Sequence, residues 1–240
     1  MGSDKLGISR RGDESGEHGA AAGGKARVRD RIFETACELF YRHGIHGVGV
    51  DAIAAEAGSN KMSFYRSFAS KDALVAEYLR EQEREYWAWW DAAVARHPDD
   101  PRHQIEALFE AQLEIALSNE CRGCALGNAA AEITDEEDEL SNLVRAYKDK
   151  VRKRLQAMAQ AMGARRPEHL GDALMLLLDG GYFTRLVFPL GSGPNKRLDL
   201  REILRLIRIG MLKLNDGCAN GHAEKNNRNQ SPVARDLSSN

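Results

Sequence analysis

The sequence predicts an all-α fold, a helical bundle set between two polar tails. Apolar residues recur at three-and-four spacing through nearly every segment from about residue 25 to residue 214, the period of one helix face. No run alternates with the two-residue period that a half-buried strand needs, and no internal repeat suggests a solenoid. With 240 residues and 42 % hydrophobic content, the chain is long enough to bury a sizeable core.

The first helix is expected from near Lys25 to Gly44, with Val28, Ile32, Ala36, Leu39 and Phe40 on one face and Gly44 suited to a left-handed C-cap. A short helix from about Val50 to Ala57 turns Ile53, Ala54 and Ala57 inward, and Gly58 supplies the turn after it. Asn60 is placed to cap a third helix, Lys61 to Phe68, whose Phe64 and Phe68 lie one turn apart on a buried stripe. Ser70 starts a long fourth helix that runs through Leu74, Val75, Tyr78 and Leu79 to the cluster Tyr86-Trp87-Ala88-Trp89-Trp90, before Pro98 and Pro101 break the pattern. Later helices are expected at about 102–118, 124–132, 135–162, 167–188 and 199–214, the third of these opened by a Thr134-x-x-Glu137 capping box. Residues 1–24 and 215–240 are rich in small, polar and charged residues with hardly a large apolar side chain, so composition reads both as disordered. The helical part divides into 25–80 and 81–214.

A net charge of −2 does not announce a nucleic-acid partner, so any basic surface has to be local. The longest run of large apolar residues, Leu174 to Leu178, is far short of the ~20 needed to cross a bilayer. The N-terminus has no apolar signal core, which makes a cytoplasmic protein without a membrane partner the expectation. Four cysteines, at 37, 121, 124 and 218, are too few for a secreted disulfide scaffold of this length.

A local basic surface does exist. Between Ala57 and Lys71 there is no acid, although Asp and Glu number 36 in the chain, and Lys61, Arg66 and Lys71 fall in that window. Winding the third helix at about 100° per residue turns Phe64 and Phe68 inward, so Met62, Ser63 and Arg66 face out with Lys61 and Tyr65 on the flank. A short exposed helix of this kind suits a DNA major groove. Lys61, Tyr65 and Lys71 have the chemistry to bond phosphates, and Arg66, Ser63 and Met62 to meet base edges or a thymine methyl. With Asn60, these seven residues are the candidate DNA-binding set. Two short helices about a glycine turn also occur as ordinary packing, so the register of the surrounding residues matters.

That register is specific. Ile32-Phe33, Ala36, Leu39-Phe40, Gly44, Ile53-Ala54, Ala57-Gly58, Phe64-Tyr65, Phe68, Lys71 and Leu74 together resemble, without a gap, the signature of the tetracycline-repressor (TetR) family. The resemblance covers about residues 28–75 and implies a three-helix, helix-turn-helix DNA-binding domain over 25–80, with a helical effector-binding and dimerisation domain over 81–214. It implies that Tyr65 and Lys71 contact phosphates, that Lys61 to Arg66 read bases, and that the partners are an operator duplex, a second copy and a small-molecule effector. Two residues depart from the pattern. Gly49 stands where the family usually has a capping, phosphate-reaching threonine, and Met62 where a glycine is common. The basic group Lys25, Arg27, Arg29 and Arg31 suits either a solvated helix start or an arm on phosphates.

The second half is less explicit. The stretch Arg122 to Glu132 looks like one found in some regulators of this family. Trp87, Trp89, Trp90, Phe109 and Leu113 have the character of a pocket for an apolar or aromatic ligand, though core packing accounts for them equally. Leu174, Leu178 and Gly181 are expected to pair with Ile203 and Ile207 in a four-helix dimer interface, the alternative being an internal helix pair. Cys121-Arg122-Gly123-Cys124 has the spacing of a redox pair or half a zinc site, which supports a thiol-dependent or metal-binding protein as the competing reading; no second ligand pair is visible. The acids from Asp135 to Glu139 suit a helix start. No phosphate-cradling loop, nucleophile elbow or metal-binding helix motif appears, so no enzyme, cofactor or metal is expected.

Overall fold

The computed structural model describes residues 20–134 and 138–188. Among these residues the chain forms eight α-helices: α1 (Ala20–His43), α2 (Val50–Glu56), α3 (Lys61–Ser67), α4 (Lys71–Val94), α5 (Pro101–Ala116), α6 (Ala125–Glu132), α7 (Glu139–Ala161) and α8 (Pro167–Val187). The helix expected at about 199–214, with Ile203 and Ile207, falls outside the described residues, as do residues 215–240.

Two boundaries differ from the sequence reading. Helix α1 begins at Ala20, within the segment 1–24 that composition assigned to a disordered arm; alanine has the highest intrinsic helix propensity, and a run of three precedes the two glycines. Helix α7 begins at Glu139, capped by Asp138, whose side chain accepts from the Leu140 N–H; the expected start at 135 and Glu137 of the Thr134 capping box lie outside the described residues.

Helices α1 to α3 wrap the beginning of α4. Ile32, Ala36 and Phe40 form the inward stripe of α1 and meet Ile53, Phe64, Leu74, Val75 and Tyr78 in the core. Helix α4 continues without a glycine or proline into the second half, where Tyr86, Trp89, Trp90 and Ala93 are buried with residues of α5 and α7. One contiguous hydrophobic cluster therefore runs from Ile32 to Leu178 through both halves.

Helices α7 and α8 pack tightly at Gly171. A Cβ built there would lie 2.7 Å from both the Cα and the backbone N of Gln156, so only hydrogen fits between the two backbones. The rim is tied by Arg152, which donates to both Asp172 oxygens at 2.7 and 2.9 Å, and by Gln156, which donates to Asp172 at 2.8 Å. The Arg152 hydrogen bond is the main cause holding the Asp172 carboxyl below its ordinary range.

Leu174 and Leu178, expected in a dimer interface, are 1 % and 5 % exposed within the chain's own core. Gly181 likewise faces inward: a Cβ there would stand 3.2 Å from Nε2 of buried Gln112, the amide that donates to the Leu178 carbonyl. The physical reason is that α8 is apolar on both faces, so its periodicity leaves open which stripe belongs to the core. The outward stripe carries Leu176, Leu177, Phe183, Leu186 and Val187.

Gly171→Ala should lower stability by about 1–3 kcal/mol through overpacking of two backbones that have no flexible atom to move aside. Urea unfolding of the variant against the unmodified chain measures it, and an unchanged midpoint contradicts the close approach.

Candidate nucleic-acid interface

The helix-turn-helix is fixed locally by its caps. Helix α2 ends at Glu56 with Ala57 as its C-cap, and Gly58 takes φ +59, after which the Ser59 N–H bonds to the Ala54 carbonyl and the Gly58 N–H to that of Ala55. This left-handed termination satisfies carbonyls the helix leaves open and turns the chain sharply toward α3. Asn60, extended at φ −139, accepts from the Ser63 N–H at 2.9 Å, and Ser70 accepts from the Ala73 N–H at 3.0 Å. Gly49 precedes α2 in an extended conformation and provides no side-chain cap.

Helix α3 buries Phe64 completely and turns Met62 and Tyr65 outward, 65 % and 51 % exposed. Lys61 and Arg66 are also exposed, whereas Ser63 and Lys71 are half-buried. The expected surface is thus brought together, with two refinements. The Lys61 ammonium lies 3.1 Å from Asp51 on α2, so an acid outside the acid-free window partly neutralises it. The Arg66 guanidinium reaches back one turn, with Nη2 3.2 Å from the Met62 sulfur, which joins the two outermost groups of the helix into one patch. Phe68 follows in extended conformation, buried and covered by Arg29, whose guanidinium sits 4.7 Å from the ring centroid while bonding both oxygens of Glu77. Of the basic group Lys25, Arg27, Arg29 and Arg31, which falls within α1 and not before it, Arg29 is therefore committed to the fold, and Arg27 and Arg31 remain exposed.

The aromatic residues expected to line a pocket are packed ring against ring. Tyr86 lies 5.2 Å from Trp89, 6.0 Å from Trp90 and 5.1 Å from Tyr147, and Trp87 lies 5.7 Å from Trp90. Phe109 is buried beside them and Leu113 half-buried. The outer face of Trp87 carries the Arg154 guanidinium at 4.2 Å, and its indole N–H donates to Glu83. In this arrangement these side chains act as core, since periodicity cannot distinguish a pocket wall from packed interior. An open cavity of about 430 Å³ lies elsewhere, between α6 and α7, lined by Ala130, Ile133, Thr134, Ser141, Val144, Arg145 and Lys148.

The two neighbouring cysteines have structural roles. Cys124 is the N-cap of α6, its sulfur accepting from the Gly127 N–H at 3.4 Å, and the buried Cys121 sulfur accepts from the Gly123 N–H at 3.4 Å. Burial pushes the Cys121 thiol above its ordinary pKa, the opposite of what a reactive thiolate requires. Tyr41 is pushed up to about 12, chiefly by burial, while its hydroxyl accepts from the Arg122 N–H and donates to the Gly123 carbonyl. Sequence reasoning did not single out Tyr41 or the function of Glu132, whose carboxylate receives the backbone N–H groups of Ile45 and His46. Both act across more than eighty positions of chain, and no local signal marks them.

Residues 32–78 match the pattern described as bacterial regulatory proteins, tetR family. The chain is 36 % identical over 83 residues to the HTH-type transcriptional repressor SCO4008 of Streptomyces coelicolor, which covers 35 % of this chain and 41 % of that protein. It is 28 % identical over 118 residues to the HTH-type transcriptional repressor DhaR of a Mycobacterium species, covering 49 % of this chain and 56 % of that one. The matches thus span about half the length of these curated relatives. A crystal structure of SCO4454, a TetR-family transcriptional regulator from Streptomyces coelicolor, superposes with a TM-score of 0.69 at 27 % identity, covering 81 % of this chain and 97 % of that one.

Iodoacetamide at pH 8 should alkylate Cys121 at least about tenfold more slowly in the native chain than after unfolding, because burial both excludes the reagent and disfavours the thiolate. The rate should rise with pH as the fraction of thiolate grows. Peptide mass spectrometry resolves the site, and alkylation of Cys121 and Cys124 as fast as free cysteine restores the redox reading.

Proposed function

We propose that the chain, whose residues 32–78 match the pattern of the tetR family of bacterial regulatory proteins, is a member of that family and a DNA-binding transcriptional regulator, a repressor that holds a near-palindromic operator as a homodimer and releases it on binding a small molecule. The observation that carries this reading is α3: a capped, seven-residue helix with Phe64 buried, Met62, Tyr65 and Arg66 outward, and no acid from Ala57 through Lys71. Both curated relatives are named as transcriptional repressors, which supports the direction of control.

On the duplex, Tyr65 and Lys71 bond phosphates and set the register of the helix, with Lys61 assisting once it exchanges Asp51 for a phosphate. Arg66 and Met62 read bases as neighbours, the guanidinium toward guanine and the methyl-tipped thioether toward a thymine methyl. Ser63 and Asn60 complete the set, Asn60 through the cap that orients the start of α3. A second copy brings the matching helix to the other half-site. The outward stripe of α8, with Leu177 and Phe183 near its centre, is apolar enough to need a partner surface and supports dimerisation through this face together with residues beyond 188. For the effector, the open groove between α6 and α7 is the candidate that needs no rearrangement of the core, whereas the cluster of Trp87, Trp89, Trp90, Phe109 and Leu113 holds a ligand only if its rings separate.

The purified chain should select a near-palindromic duplex whose affinity falls steeply with salt. Lys71→Ala should weaken all duplexes alike and reduce the salt slope by about one, and Arg66→Ala should cost ~1–3 kcal/mol on the selected site and relax one position per half-site. An unselective, salt-independent interaction contradicts the function, and an unchanged logo for Arg66→Ala and Met62→Gly contradicts the assignment of readers.

Leu177→Glu and Phe183→Glu should give folded monomers by light scattering, while Leu174→Glu should lose the fold by circular dichroism because it buries an unpaired charge. Dimers persisting in both surface variants put the interface elsewhere.

A further inference from the structure

Helix α1 ends at His43, and Gly44 turns the chain with φ +81. The next two backbone N–H groups point away from any helix acceptor. Both are taken by one side chain from the other half of the protein: Glu132, the last residue of α6, accepts from Ile45 N–H at 3.0 Å with Oε1 and from His46 N–H at 2.7 Å with Oε2. The imidazole of His46 stands 3.7 Å from the same carboxylate. A Cβ on Gly44 would lie 2.9 Å from Oε1, so this glycine serves the turn and the approach of the carboxylate together.

The other end of the same segment is also tied to α1. Tyr41 Oη donates to the Gly123 carbonyl at 3.2 Å and accepts from Arg122 N–H at 2.9 Å, and Asn128 holds the Arg122 carbonyl at 2.7 Å. Helix α6 with its leading loop is therefore bound at both ends to the last turn of α1 and the turn beyond it. That turn leads through buried Ile45 and Val48 to Gly49, which gives α2 no side-chain cap of its own.

We propose that Glu132 is a positioning residue for DNA reading: its carboxylate grips the turn between α1 and α2 from α6 and so sets how the C-terminal bundle orients α2 and α3. The inference rests on the reading of the chain as a DNA-binding regulator. Charge-assisted bonds to two adjacent amides fix direction as well as distance, as one neutral acceptor does not. Ala130, Ile133 and Thr134, which line the cavity between α6 and α7, flank Glu132 in the chain, so the grip lies on the helix turn that borders that groove.

The test compares the full-length chain with Glu132→Ala and Glu132→Gln, using Glu139→Gln as a control because Glu139 pairs with Arg80 away from the turn. Amide hydrogen exchange at Ile45 and His46, affinity for the selected duplex and the thermal midpoint are measured for each. In Glu132→Ala both amides should exchange at least about tenfold faster and duplex affinity should fall about tenfold, at constant helix content. Glu132→Gln, with one acceptor oxygen left, should fall between, and the control should match the unmodified chain. If Glu132→Ala fails to fold, the glutamine variant carries the comparison. Unchanged exchange overturns the grip. Faster exchange at unchanged affinity overturns the positioning role and leaves DNA binding standing. An unmodified chain that selects no duplex overturns the functional reading, and the positioning role with it.

Discussion

Everything in this structure hangs on the continuity of α4. Its 24 residues contain neither glycine nor proline, so it spans about 36 Å as one rod. One end supplies Leu74, Val75 and Tyr78 to the core of the three small helices, and the other supplies Tyr86, Trp89 and Trp90 to the bundle. Helices α2 and α3, seven residues each, are too short to persist alone in water. They exist because Ile53 and Phe64 are buried in the core shared with α1 and α4, so the exposed face of α3 inherits its rigidity from the bundle behind it.

The exposed surface of α3 is made by subtraction as much as by addition. The hydrophobic side of the helix is consumed by Phe64, an amide of its first turn by Asn60, and the neighbouring Arg29 by the Phe68 ring and Glu77. What is left outside is a thioether, a phenol, the guanidinium of Arg66 and the Lys61 ammonium, the last paired with Asp51. Because the caps are made by short side chains bonded within three residues, the position of α3 along the chain depends on local chemistry. Its orientation depends on the turn before α2, which Glu132 reaches from α6.

Several residue types in the second half serve the fold where their chemistry suggested a site. The paired cysteines cap and close the loop before α6 through weak sulfur acceptors, and the tryptophans fill the bundle by edge and tilted contacts. In each case burial takes a group with recognisable chemistry and makes it a packing element. Among the described residues an open cavity lies between α6 and α7, lined by residues with no aromatic or thiol signature.

The sequence by itself determined the helical class, the first four helices to within a few residues at most ends, and the candidate reading surface of α3. These follow from interactions inside one turn: apolar period, the caps Asn60 and Ser70, the left-handed turn at Gly58. It missed the extension of α1 to Ala20 and the start of α7 at Glu139, where competing local signals lay a few residues apart. Tertiary structure alone decided which stripe of α8 faces inward, that Trp89 and Trp90 close on themselves, and that Tyr41 and Glu132 tie α6 to α1. Those outcomes depend on partners tens of residues away, and a side chain's contribution there is set by what is packed against it, which periodicity does not encode.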